Sequence, residues 1–423
     1  MDFYSVIERL SSAVWGKGLV FLLLATGVFF TVKLGFPQFT FIPKLIKLSE
    51  TQKSSASSGL SQFRTVCLSL GTAMGTGNIT GVATALAVGG PGTVFWMWVS
   101  AFFGMAVVYC ENYLALKYKT SSCTGPMAYL KYGVGSDFLA VFFAFFCICA
   151  SCGMGGFIQV NSFSESLSEC VSIPPVLLFI LSALLIYPVI CGGANRIGSA
   201  VHILLPIVTV SFFLACLAVL FTFRSKIPSA FREIIRCAFS SDSAVGGISG
   251  FAVSKAVSIG IRRGVFSNEA GLGSSPLLHC ASENSSPQLQ GLWSIFEVFF
   301  DTIVCCTLTA LVLIVSSQNN VYSVNYAFSH VLGASTDVFL ALSLGVFAFC
   351  TVIGWFYCGQ MAFSFVFRKI SPKVFCPVFV LVASLGAVLD PSVVWPLADI
   401  FNGFMAFSNL AGLLLLANKI HRE

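Results

Sequence analysis

The residues best placed to do chemistry form one string, Gly71-Thr-Ala-Met-Gly75-Thr76-Gly77-Asn78-Ile-Thr80-Gly81, in the middle of an apolar segment. Each Gly costs a helix interior about 1 kcal/mol relative to Ala, so four in close succession need a reason. Two readings are open. Gly71/Gly75 and Gly77/Gly81 have the spacing that lets helices in a bilayer pack closely. Alternatively, the helix breaks there. Backbone freed from helical bonding is tolerated at membrane depth only where it lines a cavity. Its N–H groups then hold a carboxylate, while its C=O groups and the Asn78 amide oxygen ligate a cation such as Na⁺. A second string, Gly246-Gly247-Ile-Ser249-Gly250-Phe251, reads as a matching break. Such paired interruptions mark transporters built from inverted repeats.

Polar groups inside apolar segments are costly, which makes Glu111, Gln159, Asn161, Glu297, Asp301, Asp399 and Asn402 candidates as well. Glu111 and Asp399 lie near segment ends, where inter-helix hydrogen bonding is the plainer account. Gln159 and Asn161 follow Gly153, Gly155 and Gly156, small residues that leave room for them to face a cavity. Thr351 and Trp355 are four apart and share a helix face. A hydroxyl and a large ring there suit an ion ligand and a pocket wall, with ordinary packing equally open. Lys255 is either a side chain snorkelling to the interface or a coupling residue, a fixed cation or titrating amine that replaces a coupling ion. Cys149-Ala-Ser-Cys152 has no second pair at metal spacing and reads as structural thiols. There is no Gly-x-Ser-x-Gly elbow, HExxH or Walker loop, so no enzyme and no cofactor is expected. Energy must come from an ion gradient or another solute.

The elements that position these residues follow from composition. Of 423 residues, 57% are hydrophobic and 9% are charged, against about 25% charged in a soluble domain. That excludes a soluble enzyme, a disordered chain and a nucleic-acid partner, and makes the lipid bilayer the solvent. About 20 apolar residues span a bilayer as a helix. Eleven segments approach that test, near 18–34, 63–88, 93–118, 136–163, 176–191, 200–223, 244–261, 289–316, 338–367, 374–389 and 394–417. Eleven spans place 16 Lys and Arg in one set of loops and 6 in the other, with Lys255 inside a span. The positive-inside rule then puts the N-terminus outside and the C-terminus in the cytoplasm. The basic loop at 224–236 runs against this bias. The expected organisation is an N-terminal helix and linker over 1–62, then one transport domain over 63–423. Its repeats cover about 63–223 and 244–418.

Gly75-Thr-Gly-Asn-Ile-Thr-Gly-Val-Ala83 and Gly89-Gly-Pro-Gly-Thr-Val-Phe-Trp-Met-Trp98 closely resemble the sodium:alanine/glycine symporter family. So do Gly125-Pro-Met127, Gln159-Val-Asn-Ser162, Gly192-Gly-Ala-Asn-Arg-Ile-Gly198, Arg263-Gly-Val-Phe-Ser-Asn-Glu-Ala-Gly-Leu-Gly-Ser274, Asp301-Thr-Ile-Val-Cys305 and Gly354-Trp355. The matches run in order from about residue 60 to the C-terminus. The resemblance implies an all-α, LeuT-like fold of two inverted five-helix repeats plus one N-terminal helix, with the first and sixth core helices broken. It implies Na⁺-coupled import of alanine or glycine by alternating access across a bacterial inner membrane. No obligate protein partner is implied.

Carried over by motif, Thr76 and Gly77 would meet the substrate carboxylate, and Asn78 the substrate or ion. Gln159 would face the amino acid, and residues around Gly250 and Phe251 its amino group and side chain. Trp355 would cap a small pocket. Sodium would lie between carbonyls near Gly71 and Met74 and the side chains of Cys350 and Thr351. Two departures stand out. The family usually has a hydroxyl residue where this chain has Cys350, and a thiol is a poor ligand for a hard cation. The residues just before Gly75, Ala73 and Met74, also differ. Na⁺-independent or H⁺-coupled transport therefore stays open, as do a sensor and a channel of the same fold.

Overall fold

The computed structural model describes residues 3–51, 59–239, 248–283, 286–319 and 321–420, with the side chains at 3–4, 17, 51, 248–254, 391 and 393 left out. Among the described residues the protein is all helix, apart from two isolated bridges, Leu60 with Ser282 and Gln318 with Val321. The helices that build the molecule are α1 (Lys17–Lys33), α2 (Gln62–Ala73), α3 (Thr80–Gly89), α4 (Gly92–Tyr118), α5 (Asp137–Cys170), α6 (Pro175–Ile190) and α7 (Gly193–Thr222). They continue with α8 (Ile248–Asn268), α9 (Ser275–His279), α10 (Pro287–Ser316), α11 (Thr336–Val366), α12 (Phe375–Ser384) and α13 (Pro391–Leu415).

Among the described residues, seven helical runs are long and apolar enough to cross a bilayer. The described parts of the other four expected segments are also largely helical but fail that test for visible reasons. The 63–88 segment is split into α2 and α3, and α6 and the 374–389 segment are short. The described part of the 244–261 segment, from Ile248, extends as α8 to Asn268 and takes in Arg262 and Arg263. Those two arginines are therefore helix residues rather than loop residues. Removing them leaves the charge-rich loops still the richer set.

Small residues bring the helices close. A Cβ on Gly260 would lie 2.5 Å from the Thr93 carbonyl oxygen, and one on Gly264 would lie 2.2 Å from Ser100 Oγ. So α8 packs onto α4 almost backbone to backbone, as small-residue interfaces do in membranes. On the same helix, a Cβ on Gly291 of α10 would strike Tyr109 at 2.7 Å. The result is a central α4 flanked by α8 and α10, with α5 and α11 packed on each other beside it. All sixteen cysteines are free.

The basic loop has a structural account. Ile227–Phe239 is an amphipathic helix whose Ala230, Ile234 and Ala238 are buried, while Arg224, Lys226, Arg232 and Arg236 are exposed. Phe231, Ile235 and Phe239 are exposed beside them. That is the pattern of a helix lying along the interface, where basic side chains meet headgroups.

Candidate functional site

The Gly-rich string is a helix break. α2 ends at Ala73, and Met74 leaves the helix with ψ 72°. Gly75 is extended, and a single tight turn, Thr76–Asn78, leads into α3. Gly75 is needed for space. A Cβ there would lie 2.7 Å from Thr351 Oγ1 and 2.8 Å from Gln159 Oε1. Thr76 donates its backbone N–H at 3.1 Å and its hydroxyl at 3.0 Å to Gln159 Oε1. Gln159 follows the wide π turn Ser151–Phe157 in α5. Such turns shift the helical register at functional sites. Thr351 donates to the Gly71 carbonyl at 3.0 Å, and Gly354 lies so close to Thr72 that a Cβ would strike its hydroxyl at 1.9 Å. The break therefore sits among α5, α11 and its own two halves.

A second non-helical stretch follows α8. Glu269, Gly271 and Gly273 have φ of 57°, 89° and 80°, a left-handed conformation that ends the helix before α9 begins. Trp355, fully buried, donates its indole N–H to Glu269 Oε1 at 2.8 Å, and Ser274 donates to Glu269 Oε2 at 2.5 Å. A Cβ on Gly155 would lie 2.2 Å from the Trp355 side chain, so that glycine makes room for the ring. Asn409 donates to the Gly271 carbonyl at 2.9 Å and to Glu111, and Tyr129 donates to Asn409.

Between the two breaks lies a buried carboxylate. Asp301 sits in a second wide turn, Phe299–Cys306 of α10. Its Oδ1 accepts from Asn78 Nδ2 at 2.7 Å; its Oδ2 accepts from Ser267 at 2.7 Å and Thr302 at 2.9 Å. Asn268 Nδ2 extends the network to Thr302 at 3.1 Å. Above it, Phe266 Cδ1 approaches to within 3.4 Å of where a Gly77 Cβ would stand. The Phe266 ring packs on Trp395 at 5.4 Å, and the Arg263 guanidinium lies 4.9 Å from the Trp395 ring centre. Arg262 pairs with Asp399 beside this stack.

The two interrupted helices are thus linked through hydrogen-bonding side chains. Comparison with known proteins decides the family. The model of the sodium:alanine symporter family matches residues 1–423. The chain belongs to that family.

A sodium/alanine symporter of Methanococcus maripaludis, AgcS, is 38% identical over 100% of this chain and 97% of its own length. An uncharacterized transporter of Haemophilus influenzae is 36% identical over 100% of this chain and 96% of its own. A substrate-bound, outward-open Na⁺-coupled sialic acid symporter shares the fold with a TM-score of 0.54, over 94% of this chain and 82% of that one at 12% identity. The protein is thus a multi-pass membrane transporter of the sodium:alanine symporter family and not an enzyme.

The expected site residues fare unequally in this family member. Thr76, Gly77, Gln159 and Thr351 gather at the first break, and Trp355 reaches the second. Asn78 turns to Asp301. The second string falls partly on 240–247, outside the described residues, and the side chains of Gly250 and Phe251 lie outside the description too. The described interruption is at 269–274, some twenty positions later, and the ring against Gly77 is Phe266. The positive-φ glycines of Glu269-Ala-Gly-Leu-Gly273 were the available signal. Lys255 is exposed and stands about 18 Å along α8 from Ser267 at 1.5 Å per residue. Among the sodium candidates, the Gly71 carbonyl and Thr351 hydroxyl are hard oxygen donors already in contact, and Met74 adjoins them at the end of α2. Cys350 is buried beside Gly71 but offers sulfur.

Proposed function

We infer that the protein imports a small neutral amino acid, alanine or glycine, together with Na⁺, by alternating access. The observation that carries this reading is the break at 74–79, with Gly75 held between Gln159 and Thr351. Backbone amides there suit a carboxylate, and the Gly71 carbonyl with Thr351 Oγ1 suits a sodium ion. Trp355, walling the site beside Gly155, sets a limit on side-chain size. Each methylene that fails to fit costs about 1–3 kcal/mol. The name of the Methanococcus relative agrees with this assignment. A Bacillus subtilis relative, 31% identical over 98% of this chain and 88% of its own length, is described as a probable sodium/glutamine symporter. Substrate size is therefore the point to test.

The two halves, about 63–223 and 244–418, each carry an interrupted helix followed by a long one, α2/α3 with α4 and α8/α9 with α10. We read them as inverted repeats behind an N-terminal helix and linker over 1–62. The membrane is a bacterial inner membrane, with the N-terminus outside and the C-terminus in the cytoplasm. Cys350 favours one competing reading, coupling to H⁺ or to no ion. The test is competition for labelled L-alanine uptake by glycine, D-alanine, serine, leucine and glutamine. Glycine, alanine and serine should compete, and leucine and glutamine should not. Strong competition by glutamine would replace the small-substrate assignment.

A further inference from the structure

We propose that His279 and Glu297 together hold one exchangeable proton, and that this proton latches α2 and α9 to α10. His279 is fully buried and Glu297 is 5% exposed. The imidazole Nε2 lies 3.1 Å from the Glu297 carboxylate, while Nδ1 lies 2.7 Å from Gln290 Oε1. Gln290 is oriented by Gln62: its Nε2 donates to Gln62 Oε1 at 2.6 Å, and Gln62 Nε2 donates back to Gln290 Oε1 at 3.2 Å. With the amide oxygen facing the ring, Nδ1 carries the hydrogen. A neutral imidazole would then aim the Nε2 lone pair at a carboxylate. The contact needs one more proton, either as imidazolium with carboxylate or as imidazole with carboxylic acid.

Burial argues the same way. Glu297 Oε2 also accepts from Ser69 at 2.7 Å, while Oε1, 3.1 Å from Nε2, has no other donor. Glu297 lines a small closed cavity together with Ser69, Asn268, Glu269, Ser275 and Ser294. An ionised carboxylate left there without a compensating charge would be expensive. Titratable groups near the pair are Cys67 from α2 and Glu269 from the 269–274 stretch. Lys119, after α4, places its ammonium on the Cys280 carbonyl at 2.7 Å, next to His279.

The pair ties three elements: Ser69 and Gln62 from α2, His279 from α9, and Gln290 and Glu297 from α10. At the same end, Leu60 N–H donates to the Ala281 carbonyl and Glu283 N–H to the Leu60 carbonyl, each at 2.9 Å. Alternating access, on which the transport role of this latch rests, requires that end to part. Parting exposes Glu297 to water and releases the proton. Conversely, losing the proton sets a lone pair against a carboxylate and favours parting.

The test is hydrogen–deuterium exchange of the purified full chain between pH 6 and 9, reading the peptides that contain 59–62 and 280–283. After correction for intrinsic exchange, protection in the wild type should fall with rising pH. Linkage to one proton sets a limiting slope of about tenfold per pH unit. Glu297→Gln should be flat, because its amide N–H donates to Nε2 with no added proton; His279→Gln should be flat for want of the titrating ring. Gel filtration shows whether each variant is folded. A flat wild-type profile, or Glu297→Gln keeping the wild-type slope, overturns the proposal. Alanine uptake measured in parallel separates the claims: a pH-dependent latch without alanine uptake would sink the substrate assignment and leave the proton site standing.

Discussion

The indole N–H of Trp355 and the carboxylate Oε1 of Glu269 meet at 2.8 Å, joining the middle of α11 to the non-helical stretch that follows α8. Glu269 is one of three non-glycine residues with positive φ among the described residues. Strained backbone persists where its surroundings over-determine it. Here the fixing partners are Trp355 and Ser274. Trp355 thus tethers the second break, and in the proposed function it also walls the site.

These two roles separate by mutation. Trp355→Phe keeps most of the bulk and removes the donor. Uptake should slow while the order of preferred substrates stays the same. Trp355→Ala removes the bulk as well and should admit larger neutral amino acids, measured as new competition by leucine. If Trp355→Ala abolishes alanine uptake and gains no larger substrate, the pocket-wall assignment is wrong.

Gly75 should tolerate no side chain. A methyl group there would meet Thr351 Oγ1 and Gln159 Oε1 inside 3 Å. Gly75→Ala should cut alanine uptake by about 100-fold, the scale expected when a site is displaced by about 1 Å. Gel filtration should show a folded protein. Gly81→Ala is the control, since nothing lies within 4 Å of its added methyl. Equal effects of the two substitutions would contradict the reading.

Much of this was legible in the sequence. The break at 74–79 was one of two readings of four glycines in an apolar helix, the other being close helix packing, and the structure shows the break. Gln159 was visible as a polar side chain after small ones. The string Gly246-Gly247-Ile-Ser249-Gly250 looks like the first one but falls partly outside the described residues, whereas the interruption the structure describes, at 269–274, is conformational. Gly271 and Gly273 serve φ values that other residues avoid, and spacing alone does not reveal φ. Arg262 and Arg263 looked like loop residues because charge is rare within spans. Their partners, Asp399 and the Phe266–Trp395 pair, lie more than a hundred residues away in the chain or appear only after folding.

Asp301 collects three hydrogen-bond donors from two helices and the first break. Asp301→Asn turns one acceptor into a donor facing Ser267 and Thr302 or Asn78. A buried polar group left unsatisfied costs about 1–3 kcal/mol. The variant should unfold at a lower temperature and lose uptake. An unchanged melting temperature would mean that the network contributes nothing to holding the breaks together.

Lys255 provides a negative test. It is exposed and remote from both breaks, so Lys255→Ala should keep the ion and pH dependence of the wild type. Any shift of coupling from Na⁺ to H⁺ in this variant would restore it as a coupling residue.

The most direct measurement is labelled L-alanine uptake into proteoliposomes holding the purified protein, under an inward Na⁺ gradient and then with choline in place of Na⁺. Accumulation above equilibrium that requires Na⁺ is the predicted result. It would mean that the Gly71 carbonyl and Thr351 hydroxyl suffice beside Cys350. Equal accumulation in choline would contradict sodium coupling, and no alanine uptake under either gradient would contradict the substrate.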